Sequence, residues 1–170
     1  VKTIDLRESF VMPGFIDLHV HLTSDPEKGT RYDLVRKADA DIAFDAYVNA
    51  RKTLMVGFTT VRNLGSKGGA MFSLRDAIKA GKIDGPKILV AGYAITPSGG
   101  HGDVHGFIPE VADVLASSGV CDGADSCRAA VRRQVKRGAD VIKVTATGGV
   151  LSETGAGTGM QFTQDELNAI

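Results

Sequence analysis

Met12-Pro13-Gly14-Phe15-Ile16-Asp17-Leu18-His19-Val20-His21-Leu22 decides how this chain is read. The run is apolar enough to form a strand, and side chains along a strand alternate between two faces. Asp17, His19 and His21 then share one face, while Ile16, Leu18, Val20 and Leu22 fill the other. Two imidazoles one residue apart converge on a point where neutral nitrogens can hold a divalent metal. A satisfied surface or core histidine would also explain a His-x-His pair, so its surroundings must carry the argument.

Outward from that strand, a polar stretch from Thr23 to Tyr32 turns at Asp25-Pro26. A helical pattern follows from about Leu34 to Val56, with Ile42, Ala46, Tyr47, Ala50 and Leu54 on one face and Gly57 as its stop. Phe58 to Leu64 reads as a second strand. A Lys67-Gly68-Gly69 turn opens a second helix through Leu74, Ala77 and Ile78, ending at Gly81. Lys87 to Tyr93 reads as a third strand, followed by a long loop from about Ile95 to Val120. A third helix starts near Asp125 or Ser126 and runs to Gly138, and Asp140 to Ala146 reads as a fourth strand. Thr163-Gln164-Asp165-Glu166 has the form of a capping box opening a fourth helix.

Strand and helix thus alternate, which implies parallel strands joined by right-handed crossovers. The fold class is α/β. Four βα units match half of a (β/α)8 TIM-type barrel, which needs about 250 residues when complete. A four-stranded open sheet is the alternative. Val1 to Leu6 is strand-like, and Ile170 follows closely on a helix signal, so the chain reads as a piece of something larger. Residues 1–10 would end a flanking β segment, and residues 11–170 would form the N-terminal half of the barrel.

Composition narrows the class. Of 170 residues, 43% are hydrophobic and 24% charged, which excludes disordered, collagen-like and coiled-coil chains. Twenty basic residues balance twenty acidic ones, so there is no basic excess for a nucleic-acid binder. No apolar run approaches a bilayer span, and localisation is left open. Cys121 and Cys127 share one loop without C-x-x-C spacing or an intervening histidine. Free thiols are the first expectation, with a disulfide if the protein is exported.

Two further residues stand at the C-terminal side of the strands, where such folds place their chemistry. Lys143 interrupts the apolar run Val141-Ile142-Lys143-Val144, where a lysine is costly unless paired, neutral or modified. A strand-end lysine reaching solvent is the plainer explanation. His101 is set among Gly99, Gly100 and Gly102 on the loop after the third strand and could contact a substrate. His105 reads as a solvated loop residue.

Together these motifs resemble the amidohydrolase superfamily. The resemblance is carried by Pro13 to His21, by Gly57-Phe58-Thr59-Thr60-Val61-Arg62 and by Ala139-Asp140-Val141-Ile142-Lys143-Val144. Gly99-Gly100-His101-Gly102-Asp103 and Thr147-Gly148-Gly149-Val150-Leu151-Ser152 narrow it to the branch of prolidase-like Xaa-Pro and Xaa-Arg dipeptidases and carboxypeptidases, near the ochratoxin-hydrolysing amidohydrolases. It implies two divalent metal ions, expected to be zinc. His19 and His21 would bind one metal, and a carbon dioxide-derived carbamate on Lys143 would bridge both. A hydroxide held between the metals would cleave an amide or peptide bond in a small substrate, a dipeptide or N-acyl amino acid, with His101 binding that substrate. Homo-oligomers are the expected assembly, and the remaining ligands would lie beyond Ile170, in the missing C-terminal half of the barrel. Imidazolonepropionase-like and deaminase-like amidohydrolases are alternatives that commonly lack the carboxylated lysine. A non-catalytic half-barrel fragment is the rival from outside the enzymes.

Overall fold

The computed structural model describes residues 3–24, 33–149 and 158–170. Three strands, β1 (Phe15–Val20), β2 (Phe58–Asn63) and β3 (Lys87–Val90), pair in parallel in the order β1-β2-β3. Among the described residues six helices accompany them: α1 (Asp33–Arg36), α2 (Asp39–Met55), α3 (Ala70–Lys79), α4 (Pro109–Leu115), α5 (Ala124–Lys136) and α6 (Gln164–Ala169). The expected turn at Asp25-Pro26 and the Val150-Leu151-Ser152 part of the glycine-rich loop lie outside the described residues. Among the described residues, no helix is long and apolar enough to cross a membrane.

Alternation dictates the main core. Val61 on β2 and Ile88 and Val90 on β3 point toward the helices, where Ala46 and Ala50 of α2 and Met71, Phe72 and Leu74 of α3 cover them. The alanines let α2 approach the sheet closely, and each fully buried Val, Ile or Met contributes roughly 1.5–3 kcal/mol. A second cluster gathers Ile95, Cys121, Cys127, Ala130 and Phe162, beneath the loop that follows β3.

Several expectations need correction. The long first helix is divided, because Ala38 is extended (φ −77°, ψ 163°) and its N–H donates to the Asp41 carboxylate at 2.9 Å. Aspartates near a helix start compete in this way for backbone donors. The segment from Ile95 to Val120 is not all loop, since it holds α4, whose Pro109 suits a first-turn position. No strand forms over residues 3–6; Ile4 and Leu6 are exposed with no neighbouring strand among the described residues. Ile16 and Leu18 do not join the core, being 62% and 53% exposed. Val20 and Leu22 do join it.

The fourth strand is only partly formed. Residues 140–145 run alongside residues 90–95, with Asp140 N–H donating to the Val90 carbonyl, Ile95 N–H to that of Lys143 and Thr145 N–H to that of Ile95. Between these bonds the ladder breaks at Gly92, whose φ of +72° turns the chain, and the Gln134 side-chain oxygen takes the Tyr93 N–H instead. A single parallel bridge, Ile95 to Val144, remains outside the named strands on this line.

The cysteines are not free thiols: Cys121 and Cys127 form a disulfide inside the second core cluster. The capping box is present as read. Thr163 Oγ1 accepts the Glu166 N–H, and the Glu166 carboxylate accepts the Thr163 N–H at 2.8 Å. The same carboxylate takes the Gly123 N–H at 2.7 Å, tying the start of α5 to α6.

Candidate metal centre

His19 lies near the C-terminal end of β1 and His21 just beyond it, and their rings meet edge-on with centroids 5.3 Å apart. The strand is not regular here. Between Asp17 and Val20, β1 carries one more residue than β2 does between Val61 and Asn63. Such a bulge breaks strict alternation and re-aims side chains. The Asp17 carboxylate accepts the His19 N–H through Oδ1 at 2.9 Å across this bulge. Arg62 Nε donates to the Leu18 carbonyl at 2.7 Å, anchoring the bulge to β2.

The His19 imidazole is held below the usual histidine pKa. Partial desolvation is the leading cause, followed by the positive fields of Lys143, His21 and Arg62, with Asp17 opposing them. Both effects favour the neutral ring, the form that binds a metal. Lys143, remote in sequence, is among the positive charges near enough to contribute to that shift. Lys143 is half-buried, and its carbonyl accepts the Ile95 N–H at 2.7 Å.

His101 stands on the loop after β3, held at several points. Its N–H donates to Gln161 Oε1 at 3.0 Å, and the next N–H, of Gly102, donates to Thr96 Oγ1 at 3.1 Å. Its ring lies on Gly149, at the end of the segment that carries Lys143. His105 is a structural residue, its Nε2 2.8 Å from the Gly100 carbonyl. Arg62, Gln161 and Gly149 were not singled out from the sequence as site residues. An arginine on a strand beside the His pair was the one available signal.

The donor chemistry suits a divalent cation: two adjacent imidazoles, one of them, His19, biased toward neutrality. Among the described residues, no three His, Cys, Asp or Glu side chains converge on one point.

The model for the amidohydrolase family matches residues 10–170. The chain belongs to the amidohydrolase family. This amidohydrolase is 32% identical over 180 residues to the ochratoxinase of Aspergillus niger, a match covering 96% of the chain and 36% of that protein. Among solved structures, a Xaa-Pro dipeptidase with methionine bound in its active site is 38% identical with a TM-score of 0.79, covering 92% of this chain and 39% of that one. A prolidase complexed with N-methylphosphonate-L-proline is 34% identical with a TM-score of 0.80, covering 98% of this chain and 41% of that one. The amidohydrolase chain thus spans 36% to 41% of the length of these relatives.

Proposed function

We propose that this chain supplies the first four βα units of a (β/α)8 metal-dependent hydrolase that cleaves an amide or peptide bond in a small substrate. The observation that carries the reading is the His19–His21 pair at the C-terminal end of β1, its rings 5.3 Å apart, in a chain whose residues 10–170 match the amidohydrolase family. Family membership and the likeness to a dipeptidase, a prolidase and an ochratoxinase support amide hydrolysis as the reaction.

His19 and His21 would hold a divalent metal through neutral nitrogens. Lys143 would become an oxygen ligand by carboxylation: its neutral amine attacks carbon dioxide, a C–N bond forms, and the displaced proton leaves to solvent. Bound there, two divalent ions, zinc by expectation, would polarise the scissile carbonyl and acidify a water. His101, fixed by Gln161 and Thr96 at its loop, would orient a dipeptide or N-acyl amino acid. The ligands needed to complete the centre would come from the rest of the barrel.

Metal analysis and carbon-13 NMR of the full protein test this reading. About two metals per chain, a carbamate signal after labelling with carbon-13 bicarbonate, and hydrolysis of Xaa-Pro dipeptides or N-acyl amino acids are expected. A metal-free enzyme with full activity, or a fully loaded one without a carbamate, would overturn it.

A further inference from the structure

Asn63 ends β2 with its side chain entirely buried, a costly place for an amide unless each polar atom is satisfied. Its Oδ1 accepts the Leu22 N–H at 2.9 Å, and its Nδ2 donates to the Gly65 carbonyl at 3.2 Å. A backbone N–H can only donate and a carbonyl can only accept, so the amide has one orientation and no carboxylate or aliphatic chain replaces it. Next to it, the Leu64 N–H donates to the Val20 carbonyl at 3.1 Å. The peptide groups on both sides of His21 are thus pinned to the three-residue run Asn63-Leu64-Gly65.

The ring of His21 is directed by the same run. Its Nδ1 lies 3.5 Å from the Gly65 carbonyl, the oxygen that Asn63 also engages. Gly65 has φ of +144°, a conformation that side-chain-bearing residues rarely adopt. Because that carbonyl can only accept, it favours the tautomer with hydrogen on Nδ1 and leaves Nε2 as the lone-pair nitrogen. Partners of this kind fix ring orientation at histidine–metal sites.

We propose that Asn63 is a positioning residue for His21: by holding the Leu22 N–H and the Gly65 carbonyl, it fixes the imidazole as the Nδ1–H tautomer with Nε2 facing the site. The consequence for metal affinity rests on the proposed function, whereas the tautomer does not.

The test uses the full protein with nitrogen-15 histidine. In the metal-free wild type, long-range proton–nitrogen NMR should report Nδ1–H at His21. In Asn63→Ala and Asn63→Asp the ring should become a tautomer mixture, and metal affinity by chelator competition should fall roughly 10- to 100-fold. Asn63→Asp keeps the acceptor for Leu22 N–H, so it remains informative if the alanine variant does not fold. An Nε2–H ring in the wild type, or an unchanged Nδ1–H ring in a folded variant, overturns the proposal. A wild type that binds no metal overturns the proposed function instead, because the tautomer is read without metal.

Discussion

The His101 ring rests on the Cα of Gly149: a methyl group built there would come within 2.6 Å of ring carbon Cε1 and 2.8 Å of both ring nitrogens. The contact joins the loop after β3 to the segment that carries Lys143, and glycine is the one residue that permits it. Gly149→Ala should therefore displace the ring, and with it any substrate it orients. A shift near 1 Å can cost about 100-fold in rate. A fall in kcat/KM of at least tenfold with metal content unchanged is expected, from steady-state kinetics beside metal analysis. Wild-type kinetics would remove His101 from the site.

Asp140 sits where the partly formed fourth strand begins. Its carboxylate accepts the Val90 N–H at 2.9 Å and Arg75 Nη1 at 2.8 Å, linking α3, β3 and the Lys143 segment. Burial alone would raise its pKa, but the Val90 N–H, the Arg75 hydrogen bond and charge, and Lys79 together hold it below the usual carboxylate value. A depressed folded pKa gives stability that is fully present above the unfolded value, near 4, and lost as pH falls through the folded one. Asp140→Asn should cost about 1 kcal/mol after allowance for solvent screening, and only above that pH. Thermal melts of both proteins at pH 7 and pH 3 check this; an equal gap at both pH values would refute it.

The parts legible in the sequence were those with a local signal. The His19–His21 strand, the Gly57 stop and the Thr163–Glu166 capping box each follow from spacing along a few residues. The bulge in β1 does not, because it depends on register against β2, and it turns Asp17 from a face-sharing residue into a backbone acceptor. Helix α4 hid in a glycine-rich region and is announced only by Pro109. Asn63 could have been suspected: alternation from Val61 puts it on the core face, where a polar side chain demands partners. The break at Gly92 could not, since Gln134 reaches Tyr93 from a helix 41 residues away in sequence.

The Cys121–Cys127 disulfide braces the loop that carries His101. The Cys121 N–H donates to the Thr96 carbonyl at 2.9 Å, and the neighbouring Asp122 carboxylate accepts the Ser98 N–H at 3.0 Å. Both cysteines are buried, so dilute reductant should act slowly on the native protein. Closing so short a ring contributes about 2 kcal/mol through the unfolded chain. A Cys121→Ser, Cys127→Ser double variant should melt earlier and be cut sooner by protease between residues 96 and 122. Unchanged melting and cleavage would show that the bridge adds nothing there.

Lys143 offers the sharpest separation between a catalytic carbamate and an ordinary strand-end lysine. Lys143→Arg keeps the positive charge and the long aliphatic stem but has no amine able to add to carbon dioxide. If the residue merely reaches solvent, activity should survive that change. If it must become an anionic oxygen ligand, both Lys143→Arg and Lys143→Ala should lose activity and metal together. The alanine variant should then regain part of each in added acetate or propionate, small carboxylates able to enter the space left by the side chain. Arginine fills that space, so its variant should not respond. Rescue confined to Lys143→Ala, followed by metal stoichiometry and turnover against carboxylate concentration, is the expected pattern; an active Lys143→Arg enzyme would refute the carbamate.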